Sequence, residues 1–440
     1  MNPLETTVSF VSLGCFKNTV DTEVLGGLLS QKGVRVVSSY EDADWIVINT
    51  CGFIQPAKEE SIDEILSALE MKAAGQVRHV AVTGCLSERY LNELRRNFPD
   101  LDLIWGVNDP QGLVDAIASG KPASYGRAPA FLYDHTFPRI QTTPPNTSFI
   151  KISEGCDMKC SFCAIPAIRG PYRSRNMESI IREAADMRER GVAEINLISQ
   201  NSTHFGRAPG QPSALPLLLK KLSTLGFDWI RVLYLMPDAV TTKILEGFSH
   251  PGVLPYFDLP LQHVSKPLLQ RMRRGGSAET FTRLISTIRR DYPDAVIRTS
   301  FITGFPGETE AMFQELCDFA RELQLERIGV FTFSPEEGTP AFEFDGRVPV
   351  EDAARRRDEL MDISDANLEV YNRLVIGKIQ SFLPGGPSPW EQNITLGRIS
   401  TQAPEVDGLT EIRGEIPMTS APVPVRIHAF RQNILQGEPA

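Results

Sequence analysis

Three short apolar runs in the first 85 residues, VSFVSLG (8–14), ADWIVINT (43–50) and RHVAVTG (78–84), each stop one residue short of a cysteine: Cys15, Cys51 and Cys85. Between them lie VDTEVLGGLLSQKG and KEESIDEILSALEMKAAG, the second with Ile62, Ile65, Leu66 and Leu69 at helical spacing. The alternation predicts a βαβαβ unit with a parallel sheet. In such a sheet all three cysteines leave at the carboxyl edge, where sheets of this kind bind ligands, so they should converge. A single thiol after a strand reads as a small buried hydrophobe. Three at the same structural position read as ligands, and the missing fourth suggests a 4Fe-4S cluster with one open iron.

Residues 119–148 lose periodicity and gather Pro, Gly and Ser, which predicts a linker over the surface. From Phe149 a second series begins, with strands expected at FIKIS, AEINLIS, WIRVLYL, YFDLPLQ, AVIRTSFITG and RIGVFTF. Helices are expected at 178–190, 214–224, 266–290 and 309–324. Six strands in about 190 residues suggest an incomplete β/α barrel, since a closed eight-stranded one takes about 250. DAARRRDELMDISDANLEVYNRLVIG should be a helix leading out of it, and the Pro-, Gly- and Thr-rich last 70 residues a small all-β module. The expected fold class is therefore α/β, divided into an N-terminal parallel α/β domain (1–125), a linker (126–146), a central partial β/α barrel (147–370) and a C-terminal small all-β barrel (371–440).

A second cysteine set, Cys156, Cys160 and Cys163, follows the first barrel strand in ISEGCDMKCSFCAIPAIRG. That is the rim where β/α barrels build active sites. Three thiolates from one loop can hold three irons of a cube and leave the fourth open. A zinc site or a set of redox thiols is the other reading, but structural zinc wants four ligands and no fourth lies nearby. Cys317 differs: in FQELCDFARELQ it shares a helical face with Phe313, Leu316, Ala320 and Leu323, as a core residue does.

No apolar run approaches the roughly 20 residues of a membrane helix, and no basic n-region or cleavage site precedes the first strand. A cytoplasmic protein with no membrane partner is expected. Seven cysteines in such a chain are ligands, catalytic thiols or core residues before they are disulfides. A net charge of −10 argues against a large nucleic-acid surface.

The arrangement C-x3-C-x-aromatic-C formed by Cys156, Cys160, Phe162 and Cys163 resembles the signature of radical S-adenosylmethionine (SAM) enzymes. The resemblance implies that the open iron binds SAM, that an electron cleaves it to a 5′-deoxyadenosyl radical, and that Phe162 packs near the adenine. TGFPGET (303–309) resembles the SAM-contacting Gly-x-Pro-Gly-Glu segment, which nominates Gly304, Pro306 and Gly307. Gln200 and Asn201, at another strand end, join them as cofactor contacts on the rim. Gln262 and His263 also fall on the rim, and for His263 a hydrogen-bonded structural role stands beside a catalytic one.

With its three-cysteine N-terminal domain and its last module, which is similar to TRAM domains, the chain resembles the methylthiotransferases. That resemblance implies two 4Fe-4S clusters, the N-terminal one supplying sulfur, together with an electron donor and a sulfur source. SLGCFKNTVDTE, NTCGFIQPAKEESIDEI and GRISTQAPEVDG resemble the branch that modifies an aspartate of ribosomal protein uS12. Phe16 and Asn201 depart from that pattern, which commonly has Pro and Asp there. Residues 371–440 carry six Lys or Arg and six Asp or Glu. A neutral module suits a basic protein partner and argues against tRNA as the direct substrate. Adenosine in tRNA remains the alternative substrate, a non-enzymatic ribosome-binding module the alternative class, and packing against the barrel an alternative role for the last module.

Overall fold

The computed structural model describes residues 6–120, 123–125, 130–207, 211–418 and 421–440. The N-terminal unit runs β1 (Thr7–Ser12), α1 (Phe16–Gln31), β2 (Arg35–Val36), β3 (Trp45–Thr50), α2 (Gln55–Ala73), β4 (His79–Gly84), α3 (Cys85–Arg89), α4 (Leu91–Asn97), β5 (Leu103–Trp105), α5 (Pro110–Ser119) and β6 (Ala123–Tyr125). Its six parallel strands stand in the order β2-β1-β3-β4-β5-β6. The order reverses between β1 and β3, so the crevice outside their carboxyl ends is the place such sheets offer a ligand. Strands β2, β5 and β6, two or three residues long, carry too little pattern to be seen in the sequence.

The central unit alternates strand and helix: β7 (Thr147–Lys151), the short β8 (Ser153–Glu154), α6 (Ile165–Arg169), β9 (Arg173–Ser174), α7 (Met177–Glu189), β10 (Glu194–Ile198), α8 (Leu215–Ser223), β11 (Trp229–Val232), α9 (Thr242–Glu246), β12 (Tyr256–Asp258), α10 (Lys266–Arg271), α11 (Ala278–Asp291), β13 (Val296–Thr303), α12 (Glu310–Leu323), β14 (Arg327–Thr332) and α13 (Val350–Val375). Six of its strands form two parallel sheets, β7-β10-β11 and β12-β13-β14. The sheets join through the Ile230–Val253 bridge and a 2.8 Å bond from the Leu235 N–H to the Asp258 carbonyl. Ile150, Ile195, Leu197, Ile230, Val232, Phe257 and Ile297 face the helices and make the largest core. The alternate positions, among them Lys151, Glu194, Arg231, Asp258 and Arg298, turn polar side chains the other way, as a period of two requires.

The chain ends in a closed barrel of β15 (Ile379–Pro387), β16 (Ile394–Ile399), β17 (Thr410–Arg413), β18 (Val423–Arg431) and β19 (Ile434–Pro439) around Phe382, Ile399, Ile412, Val425, Ile427 and Leu435. The α/β class with a partial central barrel and a small all-β barrel is therefore as expected. The last module docks at the beginnings of the central strands, away from the cysteine rim. Arg398 and Arg231 both pair with the fully buried Glu194, Arg398 also reaches Thr147 Oγ1 at 3.1 Å, and Tyr256 donates to Asp407.

Two expectations need correction. The helix expected over 266–290 is two, because Arg273 and Gly276 adopt left-handed φ of 55° and 107° and Ser277 then caps α11 by accepting the Thr280 N–H. The linker is not simply a surface strap: Tyr133 is buried, and Arg139 ties Glu23 of α1 to Glu183 of α7. Its residues 126–129 lie outside the described ones. Among the described residues no helix is long and apolar enough to cross a membrane.

Candidate functional site

Cys15, Cys51 and Cys85 sit at the ends of β1, β3 and β4, as their positions after apolar runs predict. Gly14 lets the first two loops touch: at φ +90°, a Cβ there would lie 2.6 Å from the Cys51 Cβ. Asn18, fully buried, binds the loops together. Its Nδ2 donates to the Leu13 carbonyl at 2.8 Å and the Thr50 carbonyl at 3.1 Å, one residue or two before each cysteine. Ser61 of α2 accepts the Cys51 N–H at 3.0 Å and donates to its carbonyl at 2.9 Å. Burial pushes the Cys51 thiol up to about 12, with Cys85 and Cys15 close enough to add to the rise, while the Phe53 amide on its sulfur opposes it. Burial raises Cys85 as well, against the pull of Arg169.

Cys156, Cys160 and Cys163 occupy the turn between β8 and α6. The break between α10 and α11 holds that turn: Ser161 N–H donates to the Met272 carbonyl at 3.0 Å and its hydroxyl to the Arg271 carbonyl at 2.9 Å. From the same break, Arg274 places a guanidinium nitrogen 3.8 Å from the Cys160 sulfur and donates to the Pro260 carbonyl at 2.7 Å. Burial pushes Cys163 up to about 12 and Cys156 in the same direction, opposed by amides of Ile165 and Met158 on the two sulfurs.

All seven cysteines are free thiols, and among the described residues no group of three or more His, Cys, Asp and Glu closes on a single metal ion. Two sets of three thiols, supplied with amide and guanidinium donors, suit a polynuclear cluster. Its irons stand at separate corners, its charge favours thiolates, and hydrogen bonds to the sulfurs tune it.

The rim residues divide. Asn201 is fully buried with its Nδ2 unpartnered, its Oδ1 accepting from Thr203. Gln200 donates to Glu154 Oε1 at 2.8 Å and leaves its own Oε1 unpartnered. These orphaned amide atoms fit a polar ligand such as SAM. Phe162 meets Phe305 edge to face at 6.5 Å, and Pro306 is buried beside it in sequence. Of the two glycines, Gly304 is buried and Gly307 exposed. Gly304 abuts Ala353 of α13 and donates to Glu308 Oε2 at 2.6 Å, while the Gly307 N–H binds the Gly346 carbonyl at 2.8 Å.

Gln262 pairs its backbone with β13. His263 is fully buried, its Nδ1 accepting the Ser265 N–H at 3.0 Å; Nε2 then carries the proton and donates to Glu308 at 3.2 Å. Both nitrogens are spent inside the fold, which is the structural role. Cys317 lies in the main core, as expected. A cleft of about 470 Å³ opens beside the Cys156 turn, lined by Met158, Thr203, His204, Arg207, Asp238 and Lys243.

Sequence reasoning missed what links the N-terminal triad to the barrel rim. Arg169, at the end of α6, contacts Cys85, Asn18 and Asp21 of the N-terminal unit and Glu154 of the central one. Cys85 packs with Ala164 and Ile168 of the segment that follows Cys163. Farther out, Glu336 binds Lys58 at 2.9 Å and Arg89 at 2.7 Å, and Arg89 holds the Gly52 carbonyl next to Cys51 at 2.7 Å. The only sequence signal was Lys151 and Glu154, charged residues in and just after a strand that otherwise reads as core.

Comparison with known proteins adds the following. Residues 7–106 match a family described as uncharacterized protein family UPF0004, and residues 150–320 match the radical SAM superfamily. Ribosomal protein uS12 methylthiotransferase RimO of Syntrophus aciditrophicus is 42% identical over 93% of this chain and 92% of its own. The protein of the same name from Citrifermentans bemidjiense is 43% identical over 92% of each chain. Among solved structures, the radical SAM methyltransferase TsrM of Kitasatospora setae superposes with a TM-score of 0.52 at 14% identity, covering 77% of either chain. The cobalamin-dependent radical enzyme OxsB gives 0.50 at 15%, covering 83% of this chain and 56% of its own. At such identities these two likenesses establish the fold alone.

Proposed function

The chain belongs to the RimO family of radical SAM methylthiotransferases, and from that premise we propose that it adds a methylthio group to the β-carbon of an aspartate in ribosomal protein uS12, using two 4Fe-4S clusters. The observation that carries the two-cluster reading is the pair of separate three-thiol sets, with Arg169 bridging Cys85 of one to Glu154, two residues before Cys156 of the other.

Cys156, Cys160 and Cys163 would hold the cluster that binds SAM; Cys15, Cys51 and Cys85 would hold the second. When bound, the clusters and SAM supply an electron, a carbon-centred radical, sulfur and a methyl group, chemistry that a weakly acidic C–H bond needs and no side-chain base offers. The protein's part is placement. Asn201 and Gln200 offer unpartnered amide atoms to the polar portion of SAM. Phe162 gives the adenine an aromatic neighbour, and Pro306, with Gly304 and Gly307, shapes the adjoining wall. Arg274 and the Ile165 and Met158 amides share the negative charge of the thiolates.

Of the six basic residues in 371–440, Arg398 is spent on buried Glu194, so the module has still less to offer a phosphate backbone. An acidic chain suits a basic ribosomal protein, and the reading takes the reaction as cytoplasmic, with an electron donor and a sulfur source as further partners. We take residues 1–125, 147–370 and 371–440 as the working domains, with 126–146 between them. Anaerobic turnover with SAM, reductant and sulfide, offering uS12 and bulk tRNA together and read by mass spectrometry, tests the reading. A methylthio mass gain on a uS12 aspartate is expected; a gain on tRNA adenosine alone would overturn it.

A further inference from the structure

Arg169 lies 3% exposed and serves four acceptors from three elements. One terminal nitrogen donates to Asn18 Oδ1 at 2.6 Å and to the Cys85 sulfur at 3.3 Å. The other donates to Asp21 at 2.7 Å and lies 3.4 Å from Glu154. Lys151 closes the ring, binding Glu154 at 2.8 Å and also Asp21. Glu154 in turn accepts from Gln200 through its second oxygen. A continuous chain of contacts therefore runs from Cys85, through Arg169 and Glu154, to the half-unpartnered amide of Gln200. Arg169 itself stands six residues after Cys163, on the short helix whose Ile168 packs against Cys85.

Two physical consequences follow. A planar guanidinium with a fixed fork can hold acceptors from several elements at set distances, which the single point charge of a lysine cannot. A cation beside a cluster sulfur stabilises the reduced, more negative state and raises the reduction potential. A guanidinium needed only to neutralise Asp21 and Glu154 would have no reason to spend a donor on sulfur.

We infer that Arg169 is a positioning residue of the N-terminal triad: it holds Cys85 at a set offset from the Glu154–Gln200 edge of the SAM site and keeps the group on Cys15, Cys51 and Cys85 at a raised potential. The inference rests on the two-cluster reading above. Arg169 touches neither substrate nor SAM in this role and acts through Cys85 and Glu154.

The test uses the full chain with Cys156, Cys160 and Cys163 changed to Ala, so that potentiometric titration followed by EPR reads one cluster. Arg169→Gln should move its midpoint to a more negative value, and Asp21→Asn, which removes a neighbouring negative charge, to a more positive one. In the reciprocal chain, with Cys15, Cys51 and Cys85 changed to Ala, Arg169→Gln should move the midpoint less. Arg169→Lys should return the potential towards that of the parent while lowering methylthio product per 5′-deoxyadenosine in the otherwise unchanged enzyme, because charge is restored and the fork is not. If Arg169→Gln does not fold, the Asp21→Asn shift carries the test. Unmoved potentials in both variants, or equal shifts in the two backgrounds, would overturn the inference while leaving the two-cluster reading intact. Iron content separates the two claims: about four irons are expected in each triple-cysteine chain, and none in the first would sink the two-cluster reading and this inference together.

Discussion

The two cysteine triads reach similar chemistry by opposite routes. Cys156, Cys160 and Cys163 are neighbours in sequence, and one turn pinned at Ser161 by the α10–α11 break brings them together. Cys15, Cys51 and Cys85 are separated by whole β-α units and meet only because three parallel strands end at one edge. The local triad depends on a loop conformation; the dispersed one depends on the sheet and on Asn18, which stitches two of its loops. A site of the second kind should be more sensitive to the stability of its domain and less sensitive to changes in any one loop.

The largest expected effect separates the triads outright. Cys160→Ala should abolish SAM cleavage, whereas Cys51→Ala should spare cleavage and stop sulfur insertion, read as 5′-deoxyadenosine and methylthio product in one anaerobic assay. Sulfur transfer by the Cys51 variant would dissolve the distinction. Next is Glu194→Gln, a change remote from both triads. It leaves Arg231 and Arg398 buried with a neutral partner and should cost about 3–5 kcal/mol in denaturant unfolding, with iron content at both triads retained.

The same carboxyl predicts an acid response. Burial opposes its ionisation, but Arg398 and Arg231 outweigh burial and hold it below the usual carboxylate range. Its contribution to stability is then present above the ordinary glutamate pKa and lost as the pH falls through the depressed one, so the last module should come loose in acid and remain docked near neutrality.

Asn18→Ala sharpens the comparison further. Two buried carbonyls and Arg169 lose a partner, for about 2–3 kcal/mol, and iron should be lost from the N-terminal triad alone. The smallest effect belongs to Phe16, which follows Cys15 and stacks on Phe149 of β7 at 4.4 Å. Phe16→Leu keeps the bulk and loses the ring contact, for about 1 kcal/mol, and should weaken iron retention at the N-terminal triad before it touches SAM cleavage. Equal iron loss from both triads would mean that they are not independently supported.

Much of this was legible beforehand because it repeats at short range. The six central strands show as short apolar runs spaced by helical patterns, and each cysteine of the dispersed triad announces itself by following an apolar run into a turn. The less legible parts are those whose partners are remote. His263 looked equally apt for catalysis until its two nitrogens were found bound to Ser265 and Glu308. At Gly304 an added Cβ would meet Ala353, 49 positions later in the chain, a closeness that no local pattern records. Arg273 and Gly276 end one helix and begin another where the apolar pattern runs on through both.

By itself the sequence determined the α/β class, the strand-end position of three cysteines and the turn that carries the other three, because periodicity and turn chemistry act within a few residues. Only the tertiary structure decided that Arg169 would stand against Cys85 with Asn18, Asp21 and Glu154 around it. A buried charge must find its partners wherever the chain brings them, and no local pattern records a pairing between residues 18, 21, 85, 154 and 169.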